Sequence, residues 1–183
     1  MEFLNLRNKK NLIEGVILYK LNVHRDPRGI LVETIRNDWL DVLNINLPFA
    51  QSYYSITPSG TARDEELWHV HPTKQVDRFV VIKGNAVFAV YDWRDNSKTK
   101  NVLNLFMMGE GNGDNDQFLL IIPKNVLHGF CAIGESPCYL INYPTALYDK
   151  SEEGRVSHNE VNIRLDDSSP FSWKTIRDYF KKS

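Results

Sequence analysis

LWHVHPTKQVDRFVVIKG, residues 67–84, sets two imidazoles, an amide and a carboxylate at alternate positions. In an extended chain successive side chains point to opposite faces. His69, His71, Gln75, Asp77, Phe79 and Val81 then share one side, provided Pro72 does not break the register. A row of polar side chains on the inner wall of a small β-barrel forms a ligand pocket, because such a barrel can enclose one small molecule. Residues 118–130, FLLIIPKNVLHGF, repeat the design: an apolar strand, Pro123 at its end, and His128 farther on. Two such strands predict one shared site.

Working outward, residues 13–23 are β-branched and aromatic and read as early strands. Asp26, Pro27, Arg28 and Gly29 form a turn signal, followed by an alternating strand at 30–36 and a short helix at 39–43. Alternation returns in residues 49–56, with a turn at 57–60 and a polar loop at 61–66. Lys83 and Gly84 turn the chain, so residues 85–93 are expected to pair back as a hairpin partner. Further strands are expected at 102–107 and 138–143, with a loop at 109–116 between them. Residues 144–169 read as irregular and charged. At the end, Trp173, Ile176 and Phe180 recur at helical spacing behind Ser/Pro start signals. Many short strands separated by turns indicate an all-β sandwich or barrel with a small C-terminal helix. The expected organisation is one domain over 1–183, with a barrel core at 13–143 and an extension at 144–183.

Composition narrows the function. With 183 residues, 42% of them hydrophobic, the chain can bury one sizeable core. A net charge of −1 supplies no basic field, so nucleic acid is not expected as a partner. No apolar run is long enough to span a membrane, and the N-terminus lacks the apolar stretch of a signal peptide. Cys131 and Cys138 do not make a disulfide framework. A cytoplasmic protein is expected.

Several motifs, in collinear order over roughly residues 13–153, resemble the dTDP-4-dehydrorhamnose 3,5-epimerase family. Its D-x-R-G-x-x-x-E signature is similar to Asp26, Arg28, Gly29 and Glu33, with Glu33 one residue nearer. Gln51 and Ser55 resemble its Q-x-x-x-S, and Gly60-Thr61-Ala62-Arg63 its G-V-L-R. The family's histidine falls on His69, its P-x-x-Q on Pro72 and Gln75, and its I-P-x-x-x-x-H-G-F on Ile122-Pro123 with His128-Gly129-Phe130. Tyr143, Tyr148 and Glu152 resemble its late tyrosines and acidic residue. The spacing also differs, with about three extra residues between Arg63 and His69 and two fewer between His69 and Gln75, and the chain departs from the pattern in residue type at two further places. Asp77 stands where the family carries a lysine, and Leu165-Asp166-Asp167-Ser168 is the nearest match to its W-D-D-P segment.

The resemblance implies a cupin-like jelly roll, a homodimer whose N-terminal strands exchange, no cofactor, and a nucleotide-diphospho-4-keto-6-deoxysugar as substrate. It also implies a part in surface polysaccharide biosynthesis. Epimerisation beside a ketone needs a base, an acid across the ring and a positive or hydrogen-bonding group at the carbonyl oxygen. His69 is expected as the base, Tyr143 as the acid, and Asp166 or Asp77 as the carboxylate that orients the imidazole. Arg28 and Arg63 suit the diphosphate, since guanidinium forks match phosphate oxygens. Tyr148 would pack the base or sugar. Glu33, Gln51, Gln75 and His128 complete the expected substrate contacts, and Arg63, His128 or Lys74 would serve the enolate in place of the lysine.

Two other functions fit the same residues. His69, His71, Asp77 and His128 form the His-x-His, carboxylate and distant His pattern of metal-dependent cupins, an N/O set suited to Fe, Mn, Ni or Zn. A catalytically silent barrel that binds a sugar nucleotide would keep Arg28 and Arg63 and tolerate loss of Tyr143.

Overall fold

The computed structural model describes residues 1–39, 49–110 and 117–181. The expected early strands form as β1 (Ile17–Lys20), β2 (Val23–Asp26) and β3 (Gly29–Val32). Then come β4 (Tyr53–Thr57), β5 (Ala62–Arg63), β6 (Leu67–Val70), β7 (Asp77–Lys83), β8 (Asn85–Tyr91) and β9 (Leu103–Gly109). The last strands are β10 (Phe118–Ile122), β11 (Leu127–Ile133), β12 (Cys138–Asn142) and β13 (Gly154–Ser157), followed by the C-terminal helix α1 (Trp173–Lys181). Most of the helix expected at 39–43, and most of the loop at 109–116, lie outside the described residues.

Two antiparallel sheets face one another. One has the order β1-β10-β7-β12-β4; the other runs β13-β6-β11-β8-β9, with β5 also paired to β11. Between them sits a core that includes Phe79, Val81, Phe88, Phe106, Leu120, Phe130 and Leu140. The chain crosses between the sheets repeatedly, which gives the double-sheet architecture expected from the alternating pattern. No helix among the described residues is long and apolar enough to cross a membrane.

Two sequence expectations change. Residues 85–93 do not pair back on β7: β8 lies in the opposite sheet, between β11 and β9. Gly84 alone joins the two strands, at φ +72, with an added Cβ only 2.3 Å from the Pro137 carbonyl oxygen. A one-residue corner of that kind carries the chain across the sandwich, so the rings of Phe79 on β7 and Phe88 on β8 meet in the core at 5.2 Å, tilted by 42°. The segment 144–169 is also not wholly irregular, because β13 pairs with β6 in the register Gly154 to Val70 through Ser157 to Leu67. Gly154 permits this close approach, since a Cβ there would lie 2.6 Å from Val70 Cγ1.

The outer faces are covered separately. Trp68, Val87, Leu127 and Cys131 face a cluster closed by Phe171, Trp173 and Ile176. Helix α1 starts where Ser172 Oγ accepts from the Thr175 amide at 3.1 Å, an N-cap of the expected kind. Trp173 then packs over Gly129, where an added Cβ would come within 3.0 Å of the indole. On the other sheet, Leu21, Val76, Val80, Leu119, Ile121 and Tyr143 form a third cluster.

Candidate active site

A cavity of about 380 Å³ opens at one end of the sandwich, lined from both sheets. Its floor is apolar, formed by Phe79, Phe88, Phe130 and Leu140, and its walls carry His69, His71, Gln75, Asp77 and His128. Pro72 does interrupt the strand, since β6 ends at Val70 and β7 begins at Asp77. The parity nevertheless survives the break, and the four polar side chains of the opening stretch reach one space. His128 joins them because β11 pairs with β6 in the register His128 to His69. The volume falls in the range of small-molecule sites.

Asp77 is the buried centre of this wall, with a side chain only 2% exposed. Its Oδ1 accepts from Gln75 Nε2 at 2.7 Å and from Asn142 Nδ2 at 2.8 Å. Its Oδ2 lies 3.2 Å from His71 Nε2 and 3.2 Å from His128 Nε2. Burial pushes the carboxyl upward, but the His128 and His71 contacts outweigh it and hold Asp77 well below the usual carboxylate range. At His71 burial works downward and Asp77 overcomes it, so the net shift is upward.

His69 is the more open imidazole. Its Nε2 lies 2.8 Å from Asp64 Oδ2 and 3.6 Å from Glu153 Oε1. Neither is an aligned hydrogen bond at that nitrogen. Desolvation, with His128 and Arg155 adding, pulls His69 down to about 4 against the opposing pull of Asp64 and Glu153. An imidazole kept neutral in this way is free to accept a proton.

The structure gathers Gln51, Arg63, His69, Gln75, His128 and Tyr148 around the one cavity. Gln51 Nε2 donates to the Ala146 carbonyl at 3.1 Å, Arg63 Nε to Thr57 Oγ1 at 3.3 Å, and the Tyr148 hydroxyl to Glu153 Oε2 at 3.3 Å. Four expected residues are elsewhere. Tyr143 follows Asn142 on the opposite face, 8% exposed within the outer cluster, with its hydroxyl 2.6 Å from Thr34 Oγ1. Strand parity causes this: Cys138, Leu140 and Asn142 point inward, so the next residue points out. Asp166 is exposed and accepts from the Glu2 amide at 3.3 Å, remote from His69. Arg28 sits at the turn of the β2-β3 hairpin, its side chain 90% exposed and paired with Asp26. Glu33, just beyond β3, pairs with Arg36.

In their places stand residues that were not expected. Asp64 and Glu153 supply the carboxylates at His69, with Arg155 3.1 Å from Glu153. Tyr53 lines the cavity, and its hydroxyl accepts from Asn142 Nδ2 at 2.9 Å. Burial and the nearby Asp77 push the Tyr53 phenol up to about 12, which keeps it protonated. Tyr53 was legible in principle, because it shares strand parity with Gln51 and Ser55, which the family pattern names. Asp64 and Glu153 carried no such signal, being far apart in sequence and outside any strand rhythm.

The sequence model described as dTDP-4-dehydrorhamnose 3,5-epimerase matches residues 10–177. The chain belongs to that family. It is 40% identical over 156 residues to the probable low-salt glycan biosynthesis epimerase Agl13 of Haloferax volcanii, covering 84% of this chain and 94% of that protein. It is 34% identical over 166 residues to the spore coat polysaccharide biosynthesis protein SpsL of Bacillus subtilis, covering 90% and 98%. Among solved structures, a dTDP sugar isomerase from Desulfovibrio desulfuricans superposes with a TM-score of 0.71 at 25% identity, over 88% of this chain and 92% of that one. The cupin-like jelly roll implied by the sequence motifs is thus the fold of the family, and the family members are isomerases.

Proposed function

We propose that the protein epimerises a nucleotide-diphospho-4-keto-6-deoxysugar at a carbon next to its ketone, in the biosynthesis of a cell-surface glycan. The relatives named for glycan and spore coat polysaccharide biosynthesis support the setting. One observation carries the chemistry: His69, flanked by Asp64 and Glu153, shares a sugar-sized cavity with the protonated phenol of Tyr53. His69 takes the proton, the C–H pair becomes the C=C of an enolate, and the carbonyl pair moves to oxygen. Tyr53 returns a proton to the opposite face. Arg63 at the cavity wall suits the diphosphate, and exposed Tyr148 at the cavity rim suits the sugar or base.

Arg28 and Glu33 join this scheme through a homodimer. The β2-β3 hairpin belongs to neither large sheet and exposes Ile30 and Leu31, which fits an arm laid on a partner's barrel. The free thiols Cys131 and Cys138 fit a reducing cytoplasm.

Incubation with dTDP-4-keto-6-deoxyglucose in D2O tests the reaction. Deuterium should enter at C3 or C5, and His69→Ala should slow its entry by ~10²-fold or more, the size of a general-base contribution. Wild-type exchange in His69→Ala, or no exchange with any 4-keto sugar nucleotide that binds, refutes the proposal.

A further inference from the structure

Asp77 places a buried carboxylate at the polar wall of the cavity. The atoms around it are arranged in an unusual way. His128 Nδ1 lies 3.1 Å from the Val126 carbonyl oxygen, and His71 Nδ1 lies 3.3 Å from the Glu152 carbonyl oxygen. Each Nδ1 therefore carries the proton and donates it to backbone. In the neutral rings both Nε2 lone pairs then face Asp77 Oδ2, each at 3.2 Å, so that a proton or a metal ion has to bridge each contact. Asp77 Oδ1 is meanwhile supplied by two amide donors, from Gln75 and Asn142. Three potential acceptor atoms thus converge, with the Gln75 amide 3.1 Å from His71 Nε2 beside them. Acceptors gathered in a buried wall repel one another unless a proton or a metal ion lies among them, and a metal ion takes the place of the proton at both Nε2 atoms.

The spacing fits a metal ion. Nitrogen and oxygen ligands about 2.1 Å from an ion, at tetrahedral or octahedral angles, stand ~3.0–3.4 Å from one another. Both Nε2 to Oδ2 separations lie inside that interval. The ligand-capable nitrogens of His69, His71 and His128 all fall within 4.8 Å of one another. The outer contacts are also those of a metal site, where each ligating imidazole donates its other N–H to a carbonyl and the ligating carboxylate is itself hydrogen-bonded. His69 differs from the other two, because its Nε2 is turned to Asp64 and Glu153.

We propose that His71 Nε2, His128 Nε2 and Asp77 Oδ2 bind one divalent first-row transition-metal ion, with open positions facing the cavity beside His69. Two imidazoles and one carboxylate are the donor set of such ions. Resting on the epimerase reading above, the ion supplies the positive charge that the enolate oxygen requires. His69 stays the base, and Gln75 keeps its bond to Asp77 when it yields His71 Nε2 to the ion.

The test uses the full-length protein, stripped with a chelator and titrated with Co²⁺, followed by visible absorption and by metal analysis after gel filtration. One Co²⁺ per chain is expected, with ligand-field bands. Affinity should fall ~100-fold or more in His71→Ala, in His128→Ala and in the isosteric Asp77→Asn, each checked for an unchanged circular dichroism spectrum. His24→Ala, on the exposed hairpin, and Tyr53→Phe should bind as the parent does. A folded parent that retains no Co²⁺, or one whose binding survives Asp77→Asn and both histidine changes, overturns the proposal. Deuterium exchange by the stripped protein separates site from role. Lost exchange that returns with metal supports both, whereas full exchange by stripped protein overturns the role and leaves the epimerase reading standing.

Discussion

Two phenols, Tyr53 and Tyr143, compete for the part of proton donor, and changing each to phenylalanine should give opposite results. The Tyr143 ring packs in the outer cluster with Leu21, Val76 and Leu119, and its hydroxyl meets Thr34 Oγ1 at 2.6 Å. Tyr143→Phe keeps the ring and opens no cavity. It removes one part-buried hydrogen bond, a loss of about 1 kcal/mol. For a chain of this length that lowers the melting temperature by roughly 2–4 °C. Deuterium entry into the 4-keto sugar should not change. Tyr53 is the reverse case, since its hydroxyl projects into the cavity and is held by Asn142. Removing that proton donor should slow exchange by ~10²–10⁴-fold, or about 2.7–5.4 kcal/mol of barrier. Its thermal stability should fall by no more than that of Tyr143→Phe. Mass-spectrometric deuterium uptake and thermal melting of the same two variants give both readouts. Exchange lost in Tyr143→Phe at an unchanged melting temperature, or wild-type exchange in Tyr53→Phe, would refute the assignment.

Further outcomes follow from the same geometry. Asp64→Asn should slow exchange by about tenfold or more, because a carboxylate 2.8 Å from His69 stabilises the imidazolium formed in the step, whereas Asp166→Asn, at an exposed and remote site, should leave the rate alone. Gly84→Ala should destabilise by at least about 2 kcal/mol in urea melts, since it combines a left-handed backbone with a Cβ 2.3 Å from the Pro137 oxygen. Asp92, fully buried, accepts from Arg94 Nε at 2.8 Å and Thr99 Oγ1 at 2.7 Å. Burial raises its carboxyl, but Arg94, Ser97 and Thr99 together hold it well below the ordinary range. A depressed carboxylate contributes stability that is present above the unfolded-state pKa and is lost as pH falls through the folded-state value. Asp92→Asn should therefore cost about 2–3 kcal/mol at pH 7 and flatten the loss of stability below about pH 4, as read from urea midpoints at both ends.

Much of the sandwich was legible because its signals are local. Residues 118–122 and 138–142 show their strands in apolar and β-branched composition, and Ser172 with Trp173 and Ile176 shows a capped amphipathic helix. The hairpin expected across Gly84 failed because a single left-handed glycine serves a tight turn and a corner between sheets equally well. Residues 154–157 were missed as a strand since Val156 is their only apolar side chain; β6 recruits them through the space above Val70.

From its sequence alone this chain committed to alternating strands and to a row of polar side chains facing inward. Those follow from side-chain period, a property of a few neighbouring residues. Only the tertiary structure decided that Asp64 and Glu153, instead of Asp166, attend His69, and that Tyr53 rather than Tyr143 shares its cavity. Which residues converge depends on where each strand begins and how its register aligns with strands dozens of residues away. A shift of one residue, from Asn142 to Tyr143, carries a side chain from the inside of the barrel to the outside.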